Sequence, residues 1–385
     1  MKKSLIALAA LATVATVAQA QSSVTIYGIV DAGVRHDSHS TTAGGKTALL
    51  NGGASTSRFG FKGTENLGSG LSANFVLETG FSPSSGATSQ TNTLFDRTAS
   101  VGLSGSAGSI DLGRQYNTGF YYAAAGITDV LGLAGDGFGA NPAVSSTTVP
   151  NWRVNQMVAV VSNTSLGTTR SDNQIRYTSP VFQGFQARAG YSIGGQAGDT
   201  SKKTAYSYGL SYKNGPLDLA AAYFEAKDST GNNKLSYTTT GGSYAVGPVK
   251  LVLSYNTLKS DAGYIRSTSD TGNLLTSAVA TVPLCTSAGS GNECKTEVAH
   301  AGIKYQVTPA FNTALAYYKG KFKKSGHAAD GSTLDTYALW NTYELSKRTS
   351  LYAVLDYSKA DAAIAQDATN LKSNTGVTVG VKHTF

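Results

Sequence analysis

The chain has 385 residues, with 31 Lys+Arg against 23 Asp+Glu and a formal net charge of +8. Charged residues make up 14% of it, against roughly 25% in ordinary soluble domains. With 44 Gly, 21 Tyr and only 2 Cys, the composition excludes a helical bundle, a disordered chain and a Cys-rich zinc module, and leaves a β-rich protein.

Met1, Lys2 and Lys3 form a basic start, Leu5 to Val17 is apolar or small, and Ala18-Gln19-Ala20 offers small residues where a signal peptidase cuts. This pattern predicts a secretory signal peptide over residues 1–20 and a mature chain starting at Gln21. The apolar run, about thirteen residues, falls short of the roughly 20 that a spanning helix needs. Export into an oxidising compartment predicts one loop disulfide between Cys285 and Cys294, with two free thiols as the alternative.

From there the chain alternates. Val24, Ile26, Gly28, Val30, Ala32 and Val34 share one face, and Thr25, Tyr27, Asp31, Gly33 and Arg35 the other. The same period of two runs through Leu71–Leu77, Phe185–Ile193, Tyr206–Tyr212, Val249–Tyr255 and Leu351–Tyr357. It returns in Val377, Val379, Val381 and Phe385. Period two predicts strands with one apolar face. Tight turns such as Asn214-Gly215-Pro216 and Gly247-Pro248 alternate with long polar stretches, notably 117–165 and 260–295. About sixteen strands of nine or more residues result, the length that crosses a tilted bilayer path.

Two architectures fit: a secreted sandwich or solenoid, whose apolar face packs on a second sheet, and a transmembrane barrel, whose apolar face meets lipid. Strand length, the alternation of turns with long loops, and tyrosines near strand ends (Tyr191, Tyr212, Tyr255, Tyr357) favour the barrel. An open sheet edge is untenable in lipid, so the strand ending at Phe385 is expected beside the one starting at Ser23.

At this point the sequence resembles the Gram-negative general diffusion porins, the trimeric sixteen-stranded kind. The matching pieces are Val24-Thr-Ile-Tyr-Gly28, Ser57-Arg-Phe-Gly-Phe-Lys-Gly63 with Leu67-Gly-Ser-Gly-Leu71, and Arg97 with Val101-Gly-Leu103. Leu112-Gly-Arg-Gln115, Asn173-Gln-Ile-Arg-Tyr-Thr-Ser-Pro180 and the terminal Phe385 complete them. The resemblance implies an all-β, closed sixteen-stranded antiparallel transmembrane barrel in the outer membrane. It also implies that the stretch 117–165 folds inward to narrow the lumen.

Wall arginines of the family fall here at Arg58, Arg97 and Arg170, and a loop acid falls at Asp129. The family's next acid falls at Leu133, which leaves Asp136 as a partial substitute and the narrow zone with surplus positive charge. Strand parity points Arg58 inward, opposite Phe59 and Phe61, and Arg170 inward with Gln174 and Arg176. Arg97 shares parity with Val101 and Leu103 and needs a bulge to face the lumen. Lys359, ending a late strand, is the candidate fourth charge, with Lys62 and Arg153 as alternatives.

The expected function is passive diffusion of small hydrophilic solutes and inorganic anions through a water-filled channel, weakly to moderately anion-preferring, by a homotrimer held in outer-membrane lipid. No enzyme activity, cofactor or metal is expected. His36 and His39 lack further placed ligands, and neither G-x-x-x-x-G-K-[ST] nor G-x-S-x-G occurs. A nucleic-acid partner is not expected, because no Lys/Arg run exceeds two residues after Gln21.

Overall fold

The computed structural model describes residues 23–41, 44–90, 92–124, 170–228, 231–232, 234–261, 293–323, 330–361 and 373–385. The expected signal peptide at 1–20 lies outside them, as do most of 117–165 and of 260–295.

The first strands are β1 (Ser23–Thr41), β2 (Gly44–Asn51), β3 (Arg58–Gly68), β4 (Leu71–Gly80), β5 (Thr98–Gly105) and β6 (Gly108–Tyr116). A short helix, α1 (Thr118–Ala124), follows β6. Next come β7 (Arg170–Thr178), β8 (Phe185–Ser192), β9 (Ala205–Asn214), β10 (Leu217–Lys227), β11 (Lys234–Val246) and β12 (Val249–Ser260). The last are β13 (Cys294–Thr308), β14 (Phe311–Lys323), β15 (Thr333–Glu344), β16 (Thr349–Ala360) and β17 (Ser373–Thr384).

Each strand from β3 to β17 pairs antiparallel with its sequence neighbour, and β17 pairs with β1 from Ile29↔Thr384 to Asp37↔Gly376. The sheet is therefore a closed barrel. It holds seventeen strand segments but sixteen staves, because β2 and β3 occupy one stave between them. On one side of β1, residues Ala32–Asp37 pair with β2 and residues Ser23–Ile29 pair with β3. Between the two segments, residues 52–57 leave the wall.

The turns follow from their residues. Asn214↔Leu217 and Val246↔Val249 close two-residue hairpins whose first residue, Gly215 or Gly247, takes φ of 54° or 53°. Glycine adopts that left-handed backbone without strain, and the proline after it fixes the next φ.

Burial alternates as the period of two requires, but with the polarity of a soluble protein inverted. Along β16, Tyr352, Val354, Asp356 and Ser358 are buried, whereas Leu351, Leu355 and Tyr357 are exposed. Val24, Ile26, Leu253 and Val379 likewise stand exposed, while Asp31, Ser57, Thr239 and Ser358 are buried. Apolar outside and polar inside is the arrangement that lipid imposes, and it excludes the sandwich.

The outer face is not uniform around the barrel. Every exposed tyrosine among the described residues lies on β7–β16. Tyr177, Tyr244, Tyr305 and Tyr343 stand toward the short turns, and Tyr191, Tyr206, Tyr255, Tyr337 and Tyr357 toward the long loops. These form two girdles of the kind that mark membrane interfaces. The outer face of β1–β6 carries exposed Val34, Leu49, Phe59, Val101 and Leu112 instead.

Candidate functional site

The gap between β2 and β3 positions Arg58. Residues 52–57 fold over the carboxylate of Asp31, an inward residue of β1 with no exposed surface. Its Oδ2 accepts the N–H groups of Ala54 (3.0 Å) and Ser55 (2.7 Å), and its Oδ1 accepts that of Gly53 (3.1 Å) and the Tyr352 hydroxyl (2.7 Å). Ser57 Oγ accepts from the Asp31 N–H and donates back to its carbonyl, both at 3.0 Å. Tyr352 reaches Asp31 by lying across glycines: a Cβ at Gly33 or Gly380 would sit 2.7 or 2.2 Å from its hydroxyl oxygen. From this clasp Arg58 extends, its Nε donating to Thr56 O (2.9 Å) and its Nη2 to Ser55 Oγ (3.1 Å).

Beside it runs a linked chain of inward groups. Tyr27 on β1 donates to Glu78 Oε2 on β4 (3.1 Å), and Glu78 Oε1 takes the Nε of Arg97 at 2.7 Å. Arg97 Nη2 then donates to the Tyr116 hydroxyl (2.8 Å), which also accepts from Arg170 Nη2 (2.6 Å). Arg170 stacks its guanidinium over the same ring, 4.2 Å from the centroid. One tyrosine thus gathers two guanidiniums, at the point where the chain leaves β6 for α1.

Parity alone does not account for where either arginine lies. Arg97 precedes β5 in a bend tied by its N–H to Glu78 O (3.2 Å), so the alternation of β5 does not extend to it. For Arg170, a register shift sets Asp172 and Asn173 together opposite Arg114, with Asn173 at φ 50°. Ser171 and Gln174 are consequently both buried, and Arg170 falls off the parity of Gln174 and Arg176. It meets Tyr116 from the first position of its strand.

Further charged groups line the same wall. Arg176 pairs with Asp111 (3.1 Å), and Arg188 lies 3.3 Å from the centroid of the Tyr121 ring. That contact and the Tyr122 hydroxyl, bonded to Gln186 O at 3.2 Å, seat α1 on the inner face of the barrel. Thr118 N adds a bond to Ser207 Oγ (3.2 Å), and Tyr122 packs against Ala220 and Ala222. The stretch expected to fold inward therefore begins inside the lumen. On β1, Arg35 lies between Asp37 (2.7 Å) and Asp356 (2.8 Å), so its charge is more than balanced.

A Gram-negative porin family model matches residues 7–363. The chain belongs to the Gram-negative porins. Among its relatives is an outer membrane porin of Bordetella pertussis, 31% identical over 422 residues and covering all of both chains. The outer membrane porin protein 32 of Delftia acidovorans is also 31% identical, over 412 residues, with both chains fully covered. Among solved structures, an anion-selective porin from Comamonas acidovorans superposes with a TM-score of 0.69 at 25% identity, over 95% of this chain and 100% of the other.

The porin resides in the outer membrane, where its barrel closes through Phe385. The Phe385 N–H donates to Gly28 O and the Gly28 N–H to Phe385 O, each at 3.1 Å. Of its other sequence candidates, one is corrected and two are not described. Asp129 and Asp136 lie outside the described residues. Lys359 is not a lumen residue: it alternates with buried Ser358 and Ala360 and shares the outer face with Leu355 and Tyr357. Of its alternatives, Lys62 lies inside, 5.1 Å from the Tyr27 ring centroid, and Arg153 is outside the described residues. Cys294 is disulfide-bonded, and Cys285, the only other cysteine, is outside the described residues.

Sequence reasoning missed Asp31, Tyr352, Glu78 and Tyr116 as parts of the site. A carboxylate inside an apolar alternation, as in Val30-Asp31-Ala32, was the available signal for the first.

Proposed function

We propose that this porin passes small hydrophilic solutes with a preference for anions, set where Arg58, Arg97 and Arg170 converge on the inner wall. The observation that carries the reading is the sharing of the Tyr116 hydroxyl by Arg97 and Arg170, with Arg58 held alongside by the Asp31 clasp. Guanidiniums stay protonated across the physiological range, so the field is permanent. Low-dielectric walls concentrate it in the lumen, and basic rings favour anions. The sequence offers Asp129 and Asp136 as the acidic counterpart, fewer than the three arginines. The anion selectivity of the Comamonas acidovorans porin agrees with this reading.

The protein acts as a homotrimer, its β1–β6 arc turned to neighbouring copies and β7–β16 to lipid. The restriction of exposed tyrosines to β7–β16 supports this, since interfacial tyrosines serve only a lipid-facing wall. A fold neighbour from Vibrio cholerae is known in a trimer form. Nothing in the mechanism requires bond chemistry.

Reversal potential across a planar bilayer in a KCl gradient tests the charge reading. A chloride-selective sign is expected, and a potassium-selective sign overturns it. Three equal conductance steps per insertion test the trimer.

A further inference from the structure

The short-turn end of the lumen carries a second set of positive charges, on staves that bear none of the three arginines. On β12, Lys250 shares the parity of buried Val252 and Ser254, while Leu251 and Leu253 are exposed on the outside. On β13, Lys304 shares the parity of buried Val298 and His300, against exposed Ala301, Ile303 and Tyr305. On β17, Lys382 shares the parity of buried Gly376 and Thr378, against exposed Val377, Val379 and Val381. Period two therefore sends all three ammonium groups into the lumen.

The three also meet. Lys250 follows the Gly247-Pro248 turn and lies in register with Lys304. Lys382 lies in register with Ser350, which stands opposite Glu344, the last residue of β15. Lys304 feels the charges of Lys250, Glu344 and Lys382, although three staves separate β13 from β17. The long side chains thus reach toward one another across the water path. Short turns of outer-membrane barrels face the periplasm, so the lysines converge at the periplasmic mouth of the channel.

Counter-charge there is thin. Glu344 is exposed to solvent. Asp31 lies in register with Lys382, but its two oxygens are occupied by the N–H groups of Gly53, Ala54 and Ser55 and by the Tyr352 hydroxyl. Other inward cations at this end have a carboxylate of their own: Arg176 has Asp111 at 3.1 Å, and Lys213 has Asp218 at 3.5 Å. Among the described residues no carboxylate stands within ion-pair distance of Lys304 or Lys382. Like charges directly opposite on paired strands destabilise a sheet, and Lys250↔Lys304 is such a pair. Folding gives no reason for that pair, whereas an anion held between the two ammonium groups relieves it.

The chemistry differs from that of the arginines. Arg97 and Arg170 are tied to Glu78 and Tyr116, so they present a fixed field. A lysine is a compact point charge with three donors on a flexible stem. Three such groups converging from different staves can close on the oxygens of one small anion, and they hold a divalent anion better than chloride. The low-dielectric wall beside half-buried Lys304 strengthens the attraction.

We propose that Lys250, Lys304 and Lys382 form a second anion station, at the periplasmic mouth, that binds a small divalent oxyanion on its way through the channel. The station deepens the anion reading given above and rests on it, but the arginines take no part in it. Because it sits at one end of the lumen, it makes the channel's response to such an anion depend on the side of entry.

The test uses the full-length porin in a planar bilayer at 0.1 M KCl, with sulfate as the probe, added first to one side of a single channel and then to the other. From one side only, millimolar sulfate is expected to lower the chloride current about twofold, as a binding site inside a conducting path does. The variant Lys250→Gln/Lys304→Gln/Lys382→Gln should lose that effect, whereas Lys213→Gln, whose lysine is paired with Asp218, should keep it. Unchanged heat-shifted gel migration establishes that each variant is folded. Equal lowering from both sides in the parent overturns the proposal, and so does one-sided lowering that persists in the triple variant. The reversal potential without sulfate reads the arginines separately. A potassium-selective sign there counts against the arginine reading, while the sulfate effect and its loss in the triple variant still decide the station.

Discussion

The ring of Phe385 lies across the backbone of Gly28, the residue with which it exchanges the hydrogen bonds that close the barrel. A Cβ on Gly28 would stand 2.3 Å from Phe385 Cζ and 2.7 Å from the carbonyl oxygen of Arg58. The ring can swing away, but the carbonyl belongs to β3 and cannot. Gly28→Ala is therefore expected to prise β1 from β3 and lower the temperature at which the folded band disappears in gel electrophoresis. Phe385→Ala removes the ring and keeps the backbone pair, so its effect should be smaller. If the two are equal, the ring rather than the β1–β3 spacing is what glycine protects.

The Asp31 clasp yields a second expectation. Asp31→Asn keeps the volume but turns an amide NH2 toward groups that are themselves donors: the N–H of Gly53, Ala54 and Ser55 and the Tyr352 hydroxyl. A buried donor left facing donors costs about 1–3 kcal/mol. Residues 52–57 should loosen, and Arg58 with them. Single-channel current should become noisier, and thermal stability should fall. Tyr352→Phe removes one of the four donors and should fall between the variant and the parent. A quiet, stable Asp31→Asn channel would mean that the clasp does not hold the segment.

The barrel was legible in the sequence because its rule is periodic. Val30, Val34, Leu355 and Tyr357 fall on the outside by counting alone, as the structure has them. The number of staves was legible too, but the split of one stave into β2 and β3 was not. It depends on Asp31 capturing backbone N–H groups from residues more than twenty positions away. The arginines show the same boundary. Counting places Arg58 on the buried parity, but does not by itself account for Arg97, which sits in a bend, or for Arg170, which a bulge at Asn173 separates from the alternation of Gln174 and Arg176. Lys359 shows the converse error. A positive charge at a strand end was assigned to the lumen against its own parity with Tyr357.

Arg188 is expected to be a fastener for α1. Its guanidinium lies flat enough on Tyr121 to come within 3.3 Å of the ring centroid, and 5.9 Å from that of Tyr122. Such contacts contribute up to about 2 kcal/mol where water is excluded. Arg188→Lys keeps the charge but loses the planar stack, because an ammonium group is a compact hydrated point charge. The variant should keep its ion selectivity and gain conductance fluctuations as the start of the loop lifts from β8–β11. Loss of selectivity without added noise would instead make Arg188 part of the selecting field.

Ionic strength separates a field from a binding site. At 0.1 M salt the Debye length is about 10 Å, and at 1 M about 3 Å. If Arg58, Arg97 and Arg170 act on passing ions at a distance, the chloride preference should shrink steeply between those concentrations. Arg58→Ala should then remove part of the preference at 0.1 M and change little at 1 M, where the charge is already screened. Arg58 touches Thr56 and Ser55 through its own donors, so the substitution also frees two acceptors to water in the lumen and leaves the barrel wall intact. Reversal potentials of parent and variant at both salt levels decide the matter. A preference that survives at 1 M would show that anions are held by direct contact with the guanidiniums rather than steered by their summed charge.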